Sequence, residues 1–290
     1  MRLTSSSPSA AFDRVTNWAA RALILIALKL PYETRVRWFG RLVSKVVAPI
    51  AGFKKRISHN LRLVMPELTE AAIQSVYRGV TDNMGRTLIE TYCHDDLVQV
   101  CSDYCLSGAG WLAIQAERRV GKPVVFVSGH IGNYSAVRIV LQANGYSTGA
   151  VYRPFNNRNF DAHYRIALDK FGPTFPRGAK GTARMVRHLK AGGHVALAAD
   201  QHFSSGATLE FFGRSVKSAT SAAKLALKYN ALLVPVYGIR RPDGVHFDVI
   251  IEPPVPIGTP EAMTQALNDS LEAMIRKHPD QWLWTHKRWK

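Results

Sequence analysis

The sequence predicts an α/β protein: a mixed, largely buried sheet flanked by helices, preceded by a helical segment that associates with a membrane. Three observations carry this. Short apolar runs alternate with helix-length amphipathic stretches from about residue 106 onward, the pattern of strands covered on both faces. Polar clusters stand at the ends of several of those runs. The N-terminal fifty residues combine aromatic and aliphatic residues with basic ones.

The N-terminus comes first. "WAARALILIALKL" (Trp18 to Leu30) is apolar but interrupted by Arg21 and Lys29, and is short against the roughly 20 residues a span needs. Whether it spans a bilayer or lies on it stays open. The stretch after it places Trp38, Phe39, Leu42, Val43 and Val46 at helical spacing among Arg35, Arg37, Arg41 and Lys45, which suits an interfacial helix; packing on the domain is the competing reading. Residues 58 to 92 read as helices, with Thr69 and Glu70 as a start signal and Ile73, Val76, Tyr77 and Val80 on one face. Strands are predicted at 123–129, 147–153, 194–200, 231–240 and 246–253. Helices are predicted at 131–143, 158–171, 180–191, 217–229 and 260–277. The organisation expected is a membrane-associating segment over 1–50 and one domain over 51–290.

Composition narrows the function. With 38 Lys and Arg against 21 Asp and Glu, the chain carries a formal net charge of +17, a surface that attracts polyanions. Cys93, Cys101 and Cys105 lack C-x-x-C spacing and read as reduced, structural thiols; Cys101 and Cys105 are spaced to share a helix face. Phosphate-binding, dinucleotide and zinc-protease motifs are absent, so neither a metal nor a cofactor is expected. No helix-turn-helix, finger or RRM signature accompanies the charge, and no nucleic-acid partner is expected.

In an α/β sheet, chemistry gathers where strands end. "VVFVSGHIGNYSAV" leads from an apolar run into His130, a candidate general base, although a lone histidine there also fits a structural role. Gly129 and Gly132 permit close approach, and a helix opening near Gly132 offers its N-terminus to an anion. Arg153, Arg158, Arg165 and Arg177 are candidate phosphate ligands or solvated surface. Asp200, after "HVALAA", is a candidate partner for a cation or hydroxyl, or a helix cap.

These residues, with "HNLRLVMPEL", "NMGRTLIE", "SGHIGNY", "GAVYRP", "AADQH", "FFGR", "ALLVPVYGIRRPDG" and "HPDQWLWTHKRW" in order, resemble the lipid A late acyltransferases, within the lysophospholipid acyltransferase superfamily. The likeness runs from about residue 55 to the end. It implies a glycerolipid acyltransferase-like fold on the cytoplasmic face of the cell inner membrane. It also implies acyl carrier protein as acyl donor and a hydroxyl of an anionic glycolipid, a lipid A precursor, as acceptor. By resemblance His130 is the catalytic base, Arg177 and Asp200 fall at site positions, and Asn133, Arg153, Arg158 and Gln201 are expected to bind substrate.

One departure stands out. The family motif places Asp or Glu five residues after the histidine, where this chain has Ser135. Serine can orient the imidazole but cannot offset its charge. Three readings stay open: another carboxylate, Asp200 or Glu210, takes the role; the acceptor is more nucleophilic, such as an amine; or the chain is a weakened, lipid-binding relative. A lysophospholipid or aminolipid acyltransferase with the same chemistry on another acceptor is the competing enzyme.

Overall fold

A computed structural model describes residues 10–103, 105–118 and 121–290; the first nine residues of the expected 1–50 segment lie outside them. The helical N-terminal part comprises α1 (Ala10–Leu28), α2 (Tyr32–Leu42), which continues through a π-turn into α3 (Ala48–Ile50), α4 (Phe53–Val64), α5 (Glu70–Glu90) and α6 (His94–Val100). Thr69 caps α5 as its position predicts, accepting a hydrogen bond from the Ala72 amide. Pro66 sits in the break between α4 and α5.

Part of the α2 stripe turns inward, while Val46 stays exposed. Phe39 and Val43 are buried with Ile24, Ala27, Val36 and Ile89, because α2 crosses α5 closely: a Cβ on Gly85 would meet the Phe39 carbonyl oxygen at 2.7 Å. The exposed apolar face belongs to α1 instead. Val15, Trp18, Leu25 and Ile26 point outward while Asn17, Ile24 and Ala27 are buried, two faces of one 3.6-residue period. Among the described residues, no helix is long and apolar enough to cross a membrane.

The sheet domain follows: β1 (Cys105–Ser107), α7 (Gly110–Arg118), β2 (Val124–Ser128), α8 (Tyr134–Ala143), β3 (Thr148–Tyr152), α9 (Arg158–Asp169), β4 (Thr174–Pro176), α10 (Ala179–Lys190) and β5 (His194–Ala198). The chain continues through β6 (Ala207–Phe211), β7 (Arg214–Ser218), α11 (Ser221–Lys228), β8 (Leu232–Arg240), β9 (Phe247–Ile251) and α12 (Pro260–Lys277). Seven strands form one sheet in the order β1-β9-β8-β2-β5-β3-β4; β6 and β7 form a separate hairpin. Only the β8–β9 pairing within the large sheet is antiparallel. Its two faces bury separate clusters, one including Phe126, Ala136 and Phe247, the other Val125, Val195 and Ala223, which is why β2 reads as an unbroken apolar run.

The five predicted strands and the helices at 158, 180 and 260 fall within a few residues of the observed elements. Three expectations need correction. The helix predicted from 217 starts at 221, because residues 214–218 pair as β7. The helix predicted from 131 starts at 134, where Asn133 caps it. Cys101 opens a short 3-10 turn and Cys105 lies on β1, so the two share no helix face; Cys93 and Cys101 are free and buried.

Parallel register places the site. Ser128 pairs with Ala198, so His130 and Asp200, each two residues further on, emerge side by side. Tyr152 pairs with Pro176, so Arg153 and Arg177 leave the sheet at the same edge.

Candidate active site

His130 and Asp200 form a hydrogen-bonded pair. Asp200 is fully enclosed and accepts three N–H bonds: from His130 Nδ1 at 2.7 Å, from the His130 amide at 2.7 Å and from Trp282 Nε1 at 2.9 Å. An ionised carboxylate only accepts, so Nδ1 carries the proton and Nε2 keeps its lone pair. The His130 side chain remains 28% exposed, and its Nε2 makes no hydrogen bond among the described residues. Burial alone would lower the His130 pKa, but the charge and hydrogen bond of Asp200 outweigh it and raise the value. Burial alone would raise the Asp200 carboxyl, yet the charge and hydrogen bonds of His130, with help from His286, hold it well below the carboxylate range. The pair is therefore a base with its tautomer fixed and a counter-charge ready for the imidazolium.

The C-terminal tail closes the back of this site. The Leu283 amide donates to the His130 carbonyl at 2.9 Å and the Gly132 amide to that of Gln281 at 3.1 Å, with Ile131 bridged to Trp282. Trp282 and Trp284 are fully buried and meet edge to face at 4.7 Å, beside Phe211, Phe212 and Trp289. The His286 ring meets that of His130 at 4.9 Å, and burial pushes its pKa down to about 4, so it is neutral at physiological pH. Donor atoms of His130, Asp200 and His286 lie within 4.8 Å of one another, a donor set known from transition-metal sites. Both Asp200 oxygens already accept N–H bonds, however, which suits a hydrogen-bonded dyad better than a metal ligand.

A second buried network fixes the loop from Gly129 to Asn133. Arg240 grips Glu90 through two hydrogen bonds of 2.6 and 2.7 Å, and Glu90 also accepts from Asn133 Nδ2 at 2.6 Å. Asn133 Oδ1 in turn caps α8, accepting from the amides of Ser135 and Ala136. Asn83 and Thr87 donate to the Gly132 carbonyl. Gly132 has φ +57°, and a Cβ there would lie 1.8 Å from the Gly238 carbonyl oxygen, so the turn admits glycine alone.

The residues expected at the site separate into groups. His130, Asp200, Gln201 and Arg177 come together: Arg177 donates to Gln201 Oε1 at 3.0 Å, and its charge opposes protonation of His130. Asn133 is fully buried, and its polar atoms serve the α8 cap and Glu90. That cap also occupies the helix N-terminus expected to receive an anion. Ser135 does not orient the imidazole: Asp200 makes that bond, while Ser135 Oγ is buried without a hydrogen-bond partner. Glu210 lies exposed on β6, where its backbone bonds Gln265 and Asn268. Arg153 and Arg158 are exposed. Trp282, His286 and the Glu90–Arg240 pair were missed by sequence reasoning. The tail "QWLWTHKRW" was the available signal for the first two.

The α/β sheet presents a carboxylate-held imidazole at its strand ends, an arrangement chemically suited to accepting a proton. Comparison with known proteins gives the family. Residues 6–290 match the model for bacterial lipid A biosynthesis acyltransferases, and the chain belongs to that family and is an acyltransferase. It is 21% identical to a lipid A biosynthesis acyltransferase of Haemophilus influenzae over 277 residues, covering 92% of this chain and 85% of that protein. It is 24% identical to the lipid A biosynthesis lauroyltransferase of Escherichia coli over 305 residues, covering 94% and 90%. A phosphatidylinositol mannoside acyltransferase of Mycolicibacterium smegmatis is 34% identical over 85 residues, 29% of this chain and 28% of that protein.

Proposed function

We propose that the chain transfers a fatty acyl group from the thioester of acyl carrier protein to a hydroxyl of a lipid A precursor, with His130 as general base. The observation that carries this reading is the bond between His130 Nδ1 and Asp200, which leaves Nε2 as the proton acceptor of a side chain that is 28% exposed. His130 Nε2 takes the hydroxyl proton as the oxygen attacks the thioester carbonyl. Asp200 stabilises the imidazolium. The tetrahedral adduct then collapses, its carbon–sulfur bond breaks, and the departing thiolate takes the proton from His130. No metal or cofactor enters these steps.

Asp200 supplies the carboxylate missing at Ser135, which favours an active enzyme over a weakened lipid-binding relative. Arg177 and Gln201 stand beside the dyad to bind the acceptor's anionic group, with Arg153 and Arg158 outside them. The outward stripe of α1 with Arg14, Arg21 and Lys29 rests on the cytoplasmic face of the inner membrane. In this reading residues 1–50 attach the enzyme and 51–290 form the acyltransferase domain.

The test supplies purified protein with carrier protein loaded with mixed acyl chains and a total lipid extract of its host, read by mass spectrometry. A lipid gaining one acyl group, absent with His130→Ala, is the expected result. The same product from both proteins would remove His130 from the mechanism, and product in neither would remove the transfer.

A further inference from the structure

Away from the dyad, α1 and α9 enclose an open groove of about 240 Å³. Its walls are apolar: Ile24 and Leu25 on one side, Ile166 and Ala167 on the other. Two of these are strongly exposed, Leu25 at 58% and Ile166 at 66%, so apolar surface faces water on both rims. Arg21 and Lys170 also line the groove, and no carboxylate does. Its base is built rather than accidental. Tyr92 hydroxyl and His163 Nδ1 are hydrogen-bonded at 2.9 Å, and His163 Nε2 bonds Asn17 Oδ1 at 3.2 Å, tying α1 to α9.

Apolar walls with two cations and no carboxylate among the lining residues match one ligand chemistry, an acyl chain bearing an anionic head. The groove is also separate from the reacting centre. Tyr134 adjoins His130 with ring centroids 6.3 Å apart, its hydroxyl meets that of Tyr164 at 3.1 Å, and Tyr164 packs edge-on against Tyr92. Tyr134 and Tyr164 stand between the base and Tyr92, which itself lines the groove, and no lining residue belongs to the dyad. Leu25 belongs both to the groove and to the outward stripe of α1; the molecules that reach it are those of the surface on which α1 rests.

We propose that this groove between α1 and α9 binds one acyl chain of an anionic glycerophospholipid, with Arg21 and Lys170 holding its phosphate. The proposal rests on the membrane-surface reading only for where the lipid comes from. Binding is therefore measured with lipids that are monomeric in solution: short-chain phosphatidylglycerol and phosphatidylcholine of equal chain length, titrated calorimetrically into the full chain below their critical micelle concentrations.

One saturable site is expected, about tenfold tighter for phosphatidylglycerol as charge-assisted contacts imply, and weakening about fourfold per methylene removed from the bound chain. Ile166→Glu and Lys170→Glu, both exposed and so compatible with folding, should each weaken binding at least about tenfold. Val15→Ser, on the outward stripe but outside the groove, should leave it unchanged. Equal affinity for the two headgroups would overturn the anionic assignment, and full affinity in Ile166→Glu would overturn the site. Binding of a phosphorylated glucosamine lipid with none of phosphatidylglycerol would make the groove a substrate subsite instead. Failure of the chain to bind vesicles, with monomeric lipid still bound, would sink the membrane reading and leave this proposal standing.

Discussion

Asp200 and Glu90 are both fully buried carboxylates facing a nitrogen base, and they are built for opposite purposes. Glu90 is held by Arg240 through two parallel hydrogen bonds, with both side chains enclosed. Burial alone would lower the Arg240 pKa, but Glu90 raises it, so the guanidinium keeps its charge. Asp200 faces a histidine whose far edge is open. A guanidinium locks a loop; an imidazole at the same kind of carboxylate can take up and release a proton. Asn133 links the two regions, since it caps the helix that follows His130 and bonds Glu90.

Breaking each pair should therefore give different signatures. His130→Ala should have the largest effect, a loss of about 10⁴ in kcat with the fold retained, because no other base takes its place; single-turnover assays with circular dichroism check both halves. Glu90→Gln should act on stability, costing about 3–5 kcal/mol by leaving the Arg240 charge buried and uncompensated. Adding Arg240→Met should recover part of that in urea unfolding, because the introduced glutamine keeps an amide oxygen that can accept from Asn133.

His286 sharpens the contrast through pH. Its value falls from about 6.5 in the unfolded chain to about 4 in the fold, so the stability of its neutral state is complete above pH 6.5 and lost as pH falls towards 4. The loss is about 3 kcal/mol, and His286→Phe should flatten urea midpoints measured across that window. The smallest effect belongs to Ser135→Ala. With no hydrogen bond to lose, its stability should stay within about 1 kcal/mol of the parent and its turnover within about threefold. Ser135→Glu, by contrast, should destabilise, because it buries a carboxylate where Ser135 Oγ already lacks a partner.

What could be read from the sequence follows from the range of the forces involved. Strand β2 and helix α12 were legible because apolar periodicity is local. Strands β1 and β4 are three residues each, too short to show a period, and β6 alternates apolar and polar residues over only five positions. His130 was legible as a strand-end histidine. Its partner was one of two candidate carboxylates, Asp200 and Glu210, since the choice of Asp200 depends on the Ser128–Ala198 register between strands seventy residues apart. Asn133 carried a readable signal that was assigned to substrate: asparagine ahead of an apolar helix is a cap first. Nothing local connects Glu90 to Arg240, 150 residues away.

The most direct test of the dyad is kcat/KM for Asp200→Asn measured against pH beside the parent enzyme. The parent should lose activity as His130 protonates, with its acid limb above the ordinary imidazole range because Asp200 raises that pKa. Asp200→Asn should lose about 10³- to 10⁴-fold, with the remaining acid limb moved to lower pH. A variant within about tenfold of the parent and with the same acid limb would contradict the account, because Asp200 would then be doing no more than packing against Trp282.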